Sequence, residues 1–171
     1  MFQSITRFST TVFLSWVLIA TPIAAEERSQ EAIDALRSFF DALGVDRYGD
    51  GSLEKVVTDD FVIFEMGQEF TFDEFKRFLE SANYSDWVST QWQLSNHSVW
   101  ADENAAHIHY HNTGVFVYPD SNQSAQLTQQ DNFWLESAFF VREEGQLKLK
   151  FLQSENVYRK QQLIAEPVPV E

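Results

Sequence analysis

The chain has 171 residues, 12 of them basic and 26 acidic, for a net charge of −14, and it contains no cysteine. A surface this negative repels phosphate backbones and anionic headgroups, which argues against nucleic acid and membrane surfaces as partners. With no thiol in the chain, disulfides and a lipidated cysteine are excluded, and 16 Phe, 5 Trp and 5 Tyr imply a bulky core or an aromatic-lined hollow.

In chain order, Arg7 and the amino terminus precede the apolar run Val12–Ala20, followed by Pro22 and then Ile23-Ala24-Ala25. A basic start, a short apolar run and small residues before a cut predict a signal peptide over residues 1–25. The run is too short, and too broken by Pro22, for a spanning helix of about 20 apolar residues. The protein is therefore expected to be exported, periplasmic or secreted, with no membrane contact after cleavage. One domain is expected over 26–160, with 161–171 as a flexible C-terminal tail.

Ile33, Leu36, Phe39, Phe40 and Leu43 repeat at helical spacing and predict an amphipathic helix over 30–43, ended by Gly44. The segment Asp46–Gly51 imitates a calcium loop. Tyr48 stands where a third-position ligand belongs and Val57 where a bidentate glutamate is required, so the match fails. A short helical piece is expected at Ser52–Val57, then a strand through Phe61-Val62-Ile63-Phe64 to a turn at Gly67. Thr71 and Glu74 form a capping box for a second helix with a stripe of Phe75, Phe78, Leu79 and Ala82. Strands are predicted over 87–100, 105–118, 127–142 and 146–158, with turns at Asp102–Asn104, Pro119–Ser124 and Glu143–Gly145. Helices segregated from a run of antiparallel strands define an α+β fold, helices on one face of a curved, mostly antiparallel sheet.

Strand alternation nominates inward faces. Trp92 and Leu94 share one face, Ile108 and Tyr110 another; Phe133, Leu135, Ser137 and Phe139 are expected inward on the third strand, Leu147, Leu149, Phe151 and Gln153 on the fourth. A mostly apolar wall with a few polar points suits a small molecule. The candidate ligand-binding residues are accordingly Trp92, Tyr110, Ser137, Phe139 and Gln153. His107, His109 and His111 alternate on one strand, about 6.5–7 Å apart, and are weak candidates for a metal. They lie opposite Ile108 and Tyr110 and so are expected on the outer face. No cofactor is expected.

Three segments together resemble the NTF2-like superfamily, which includes SnoaL-like polyketide cyclases and ketosteroid isomerases. They are Val57-Thr58-Asp59-Asp60-Phe61 running to Glu65, the capped helix from Thr71, and the hairpin Phe139–Leu149 continuing into Phe151-Leu152-Gln153-Ser154. The resemblance implies a cone, a bent sheet wrapped around helices with an apolar cavity at its wide end, and a homodimer packed through the outer sheet face. It also places Glu65 where relatives carry a carboxylate general base. The donor positions of the isomerases fall at Phe39 and near Ser137, and neither supplies the expected acidic donor. The expected function is binding of a small apolar or aromatic molecule in the cone. The alternatives are an isomerase, cyclase or dehydratase using Glu65 as base, and a protein-interaction module using the outer face.

Overall fold

Six strands form one sheet in the order β2-β1-β6-β5-β4-β3, seen in a computed structural model that describes residues 22–120 and 126–165. The strands are β1 Val57–Glu65, β2 Gln68–Thr71, β3 Ser89–Ala101, β4 Ala105–Pro119, β5 Gln126–Glu143 and β6 Gln146–Ala165. All neighbours run antiparallel except β1 and β6, which are parallel. Helices α1 Pro22–Leu43, α2 Leu53–Val56 and α3 Phe72–Ser81 complete the fold.

The apolar stripe of α1 becomes the hub of the core. Leu36, Phe39 and Phe40 are buried, and Phe40 meets Trp92 and Tyr110 at ring separations of 5.0 and 6.2 Å. Gly44 ends the helix as expected, its N–H donating to the Phe40 carbonyl at 3.0 Å. A fork from Arg142 to both carboxylate oxygens of Glu31, 2.7 Å each, ties α1 to the end of β5. The capping box of α3 is formed: Thr71 Oγ1 accepts from the Glu74 N–H, and the Glu74 carboxylate accepts from the Thr71 N–H at 2.9 Å. That fixed start aims Phe75 and Leu79 into the core.

The leader expected over 1–25 lies outside the described residues as far as residue 21. Residues 22–25 are the first turn of α1. The tail expected over 161–171 needs correction where it is described, because residues up to Ala165 continue β6 and pair with β5 as far as Gln126↔Ala165. β2 is an element that the sequence analysis did not predict. At the β5–β6 hairpin, Glu144 and Gly145 both have positive φ, 51° and 85°, as a two-residue turn of matching twist requires.

Bulges decide which side chains look inward. On β6 the register steps from Phe140↔Leu149 to Phe139↔Phe151, leaving Lys150 unmatched. Each such extra residue exchanges the faces of all residues beyond it. Leu149 is therefore inward before the bulge, and Leu152 and Ser154 are inward after it. On β5 the inner face is the even-numbered set, with Trp134, Glu136, Ala138 and Phe140 all buried.

Candidate functional site

Between α3 and the inner sheet face lies a cavity of about 320 Å³. Its wall is mostly carbon. Trp87, Trp92, Phe116 and Trp134 form a connected set of rings with centroids 4.7 to 5.8 Å apart. Phe75, Phe78 and Leu79 cover it from the helix side. Gly114 makes this wall possible. A Cβ there would lie 2.8 Å from a Trp134 ring carbon and 2.9 Å from one of Phe116.

The polar groups of the cavity lie in a row across the sheet. Strand pairing sets Glu65 beside Ser154, Ser154 beside Glu136, and Glu136 beside Tyr110. Glu65, Ser154 and Glu136 all line the cavity. Glu136 is the centre of the row: one carboxylate oxygen accepts from Asn112 Nδ2 at 3.0 Å and the other from Ser154 Oγ at 2.9 Å. Tyr110 makes no well-aligned hydrogen bond, yet its hydroxyl lies near the same carboxylate; burial first, and then the Glu136 charge, hold the phenol protonated. Past Tyr110 the row ends at His97, stacked on the phenol at 6.3 Å; burial lowers its pKa. His97 reaches the interior because β3 bulges between Ser95 and Ser98, where Asn96 has a φ of 53°.

Burial dominates the electrostatics. Glu136 is pushed up to about 7: loss of solvent raises it, the nearby Tyr110 hydroxyl and the hydrogen bonds from Ser154 and Asn112 pull it down, and the charge of Glu65 raises it again. Glu65 is also raised, first by burial, with Ser154 and Arg159 acting against that and Glu155 with it. Among the described residues neither carboxyl forms an ion pair. Arg159 lines the mouth, exposed.

Of the residues singled out from sequence, Glu65 and Trp92 line this cavity, and Tyr110 stands behind it against Glu136. Ser137, Phe139 and Gln153 do not. All three lie on the opposite face, because β5 turns its even-numbered residues inward and the Lys150 bulge shifts β6. Ser137 instead bonds His107 Nε2 at 2.6 Å on the outer surface. His107 and His109 are exposed on that face, their rings 6.5 Å apart, and His111 bonds Asn96. Among the described residues no group of three or more His, Cys, Asp or Glu is gathered closely enough to hold a metal ion. Glu136, Asn112 and Ser154 escaped the sequence analysis. The available signal was the phase of Glu136 with Trp134, Ala138 and Phe140, which competed with an equally apolar odd-numbered set.

No family model matches the chain, and no curated protein matches it in sequence. Solved structures do match in shape. An NTF2-like protein from Cytophaga hutchinsonii is 12% identical with a TM-score of 0.57, over 74% of this chain and 95% of that one. A scytalone dehydratase candidate from Novosphingobium aromaticivorans is 14% identical with a TM-score of 0.60, over 83% and 93%. A hexachlorocyclohexane dehydrochlorinase is 11% identical with a TM-score of 0.62, over 85% and 99%. At these identities the likeness is one of fold.

Proposed function

We propose that this chain, an NTF2-like cone, is exported and holds a small, largely apolar or aromatic molecule in the cavity above its inner sheet face. The observation that carries the reading is the cavity itself: about 320 Å³, walled by aromatic carbon, with Glu65, Glu136, Ser154, Gln130 and, at the mouth, Arg159 as its few polar side chains. That is the usual makeup of a small-molecule site. Export rests on the leader-like start, and a cut after Ala25 spares the part of α1 that builds the core, since Ala32, Leu36, Phe39 and Phe40 all follow it.

Toluene is a suitable probe, read by intrinsic tryptophan fluorescence. Saturable quenching is expected in the native protein and its loss in Ala82→Phe, where a ring is added at the cavity rim. Equal affinity in both proteins would contradict the reading.

A second reading, proton transfer with Glu65 as general base, is favoured by the carboxyl row. A desolvated carboxylate gains base strength as its pKa rises toward neutrality. Two structural neighbours, named as a dehydratase and a dehydrochlorinase, carry names for eliminations, which require a base. On this reading, solvent-deuterium exchange beside the carbonyl of a bound cyclic ketone rises with pH through the Glu65 titration and stops in Glu65→Gln. Equal exchange in the variant would remove the proposal.

The outer face supports self-association. Phe64, Leu135 and Tyr158 are 38%, 45% and 51% exposed there, an apolar stripe that a second copy of the chain would cover.

A further inference from the structure

We propose that the occupant of the cone is an organic cation, an amine or quaternary ammonium group carried on a small apolar body. The inference rests on the cavity being a binding site and narrows what it binds. Three features of the same space carry it.

First, the cavity gathers two carboxyl groups, and among the described residues no cation is paired with Glu136. Glu136 and Glu65 both line it, two strands apart with Ser154 between them. Glu136 is 7% exposed, and the partners of its two oxygens, Asn112 and Ser154, are neutral. Removing one such charge from water is costly unless an opposite charge meets it. Arg159 is the cationic residue on the lining; it lies exposed at the mouth and acts on Glu65. Among the described residues none plays that part for Glu136.

Second, the wall beside the carboxyls is the kind of surface that attracts cations. Trp87, Trp92, Phe116 and Trp134 enclose the space, and ring faces draw a desolvated cation. The indole N–H groups of Trp92 and Trp134 are buried out of reach of solvent, so these two rings offer the cavity carbon surface rather than donors. A neutral acceptor oxygen would find few partners on this wall; a cation finds ring faces and two carboxylates.

Third, the field of the whole chain has the same sign. A net charge of −14 raises the local concentration of cations and repels anions.

Charge on Glu136 is what the cation would meet, so binding should respond to pH. The groups facing Glu136 are Tyr110 and Asn112 from β4, Ser154 and the more distant Arg159 from β6, and Glu65 from β1; Leu43 of α1 and Phe75, Phe78 and Leu79 of α3 present carbon to the cavity. A cation held there draws the proton off Glu136, and its affinity should rise between pH 6 and 8. His97 stacks on Tyr110 and is not among the groups that act on Glu136.

The test compares phenyltrimethylammonium with its neutral isostere tert-butylbenzene, each titrated into the full protein at pH 6 and pH 8. The proposal expects the cation to bind at least about tenfold more tightly at pH 8, with the preference shrinking at pH 6. It also expects Glu136→Gln to remove most of that preference, bringing the pH 8 affinity for the cation down toward that for tert-butylbenzene. Glu65→Gln, nearer the rim, provides a second variant and should lower the preference in part. If the isostere binds as well as the cation, or the preference ignores pH and both substitutions, the cation inference is overturned and the apolar pocket stands. If neither compound binds, the pocket reading fails with it.

Discussion

At Glu136 the chain places a carboxyl on an aromatic wall with neutral hydrogen-bond partners and, among the described residues, no counter-charge. Its raised pKa has a direct thermodynamic consequence. The folded protein binds this proton more tightly than the unfolded chain does. Stability from this group is therefore complete below the ordinary carboxylate pKa near 4.5 and is lost as pH rises through about 7. The loss is about 3 kcal/mol across that window, and the raised pKa of Glu65 acts in the same direction. Glu136→Gln should abolish the titration, and the lone buried Asn112 Oδ1 could receive the new amide after a flip of the Asn112 side chain. Denaturant midpoints of the two proteins should converge near pH 5 and separate by pH 8, with the variant the more stable. A constant difference across pH would contradict the assignment. Glu65 was legible through the resemblance, because lining up the Asp59-Asp60 pair sets it where the relatives carry a carboxylate base. Glu136 was not, since its neighbour Ser137 sat in phase with Phe133, Leu135 and Phe139.

That confusion belongs to the elements. β5 has two apolar faces, one closing the cone and the other forming the outer surface, so hydrophobic alternation has no power to choose between them. On β6 the Lys150 bulge reverses the phase within a strand that reads as continuous. By contrast, β4 was read correctly because histidines alternate with Ile108 and Tyr110, giving the two faces different chemistry. The α3 start was equally plain, because a capping box is local in sequence. At the element scale the sharpest expectation concerns β4. Gly114→Ala sets a methyl against Trp134 and Phe116, which must move toward the cavity. The expected outcome is a loss of about 1–3 kcal/mol of stability, measured by denaturant unfolding, with weakened toluene binding. Unchanged binding would show that the ring wall is not packed on this backbone.

For the whole molecule, the order of elements was the part best written in the sequence: helices first, then long antiparallel strands, hence an α+β cone. The extra length of β6 was hidden because Gln161 and Gln162 look like tail residues. Gln161 is held in the sheet by donating to Tyr118 Oη at 2.7 Å and Gln130 Oε1 at 2.8 Å, partners remote in sequence. The exposed outer stripe carries an expectation of its own. Leu135→Glu should weaken self-association in sedimentation velocity while leaving the fold intact, because Leu135 projects from the outer face, away from the core. An unchanged sedimentation coefficient at every concentration would argue that this face is free.

An open cone that takes a small ligand can be tested with the tryptophans, which provide their own control. Trp87, Trp92 and Trp134 line the cavity, whereas Trp100 is 59% exposed on the outside of the sheet. Indole N–H resonances followed by NMR during a toluene titration separate the two regions in one experiment. The three inner indoles should shift together and saturate while the Trp100 resonance stays in place. Movement of Trp100 with the inner three unmoved would show that toluene binds outside the cone.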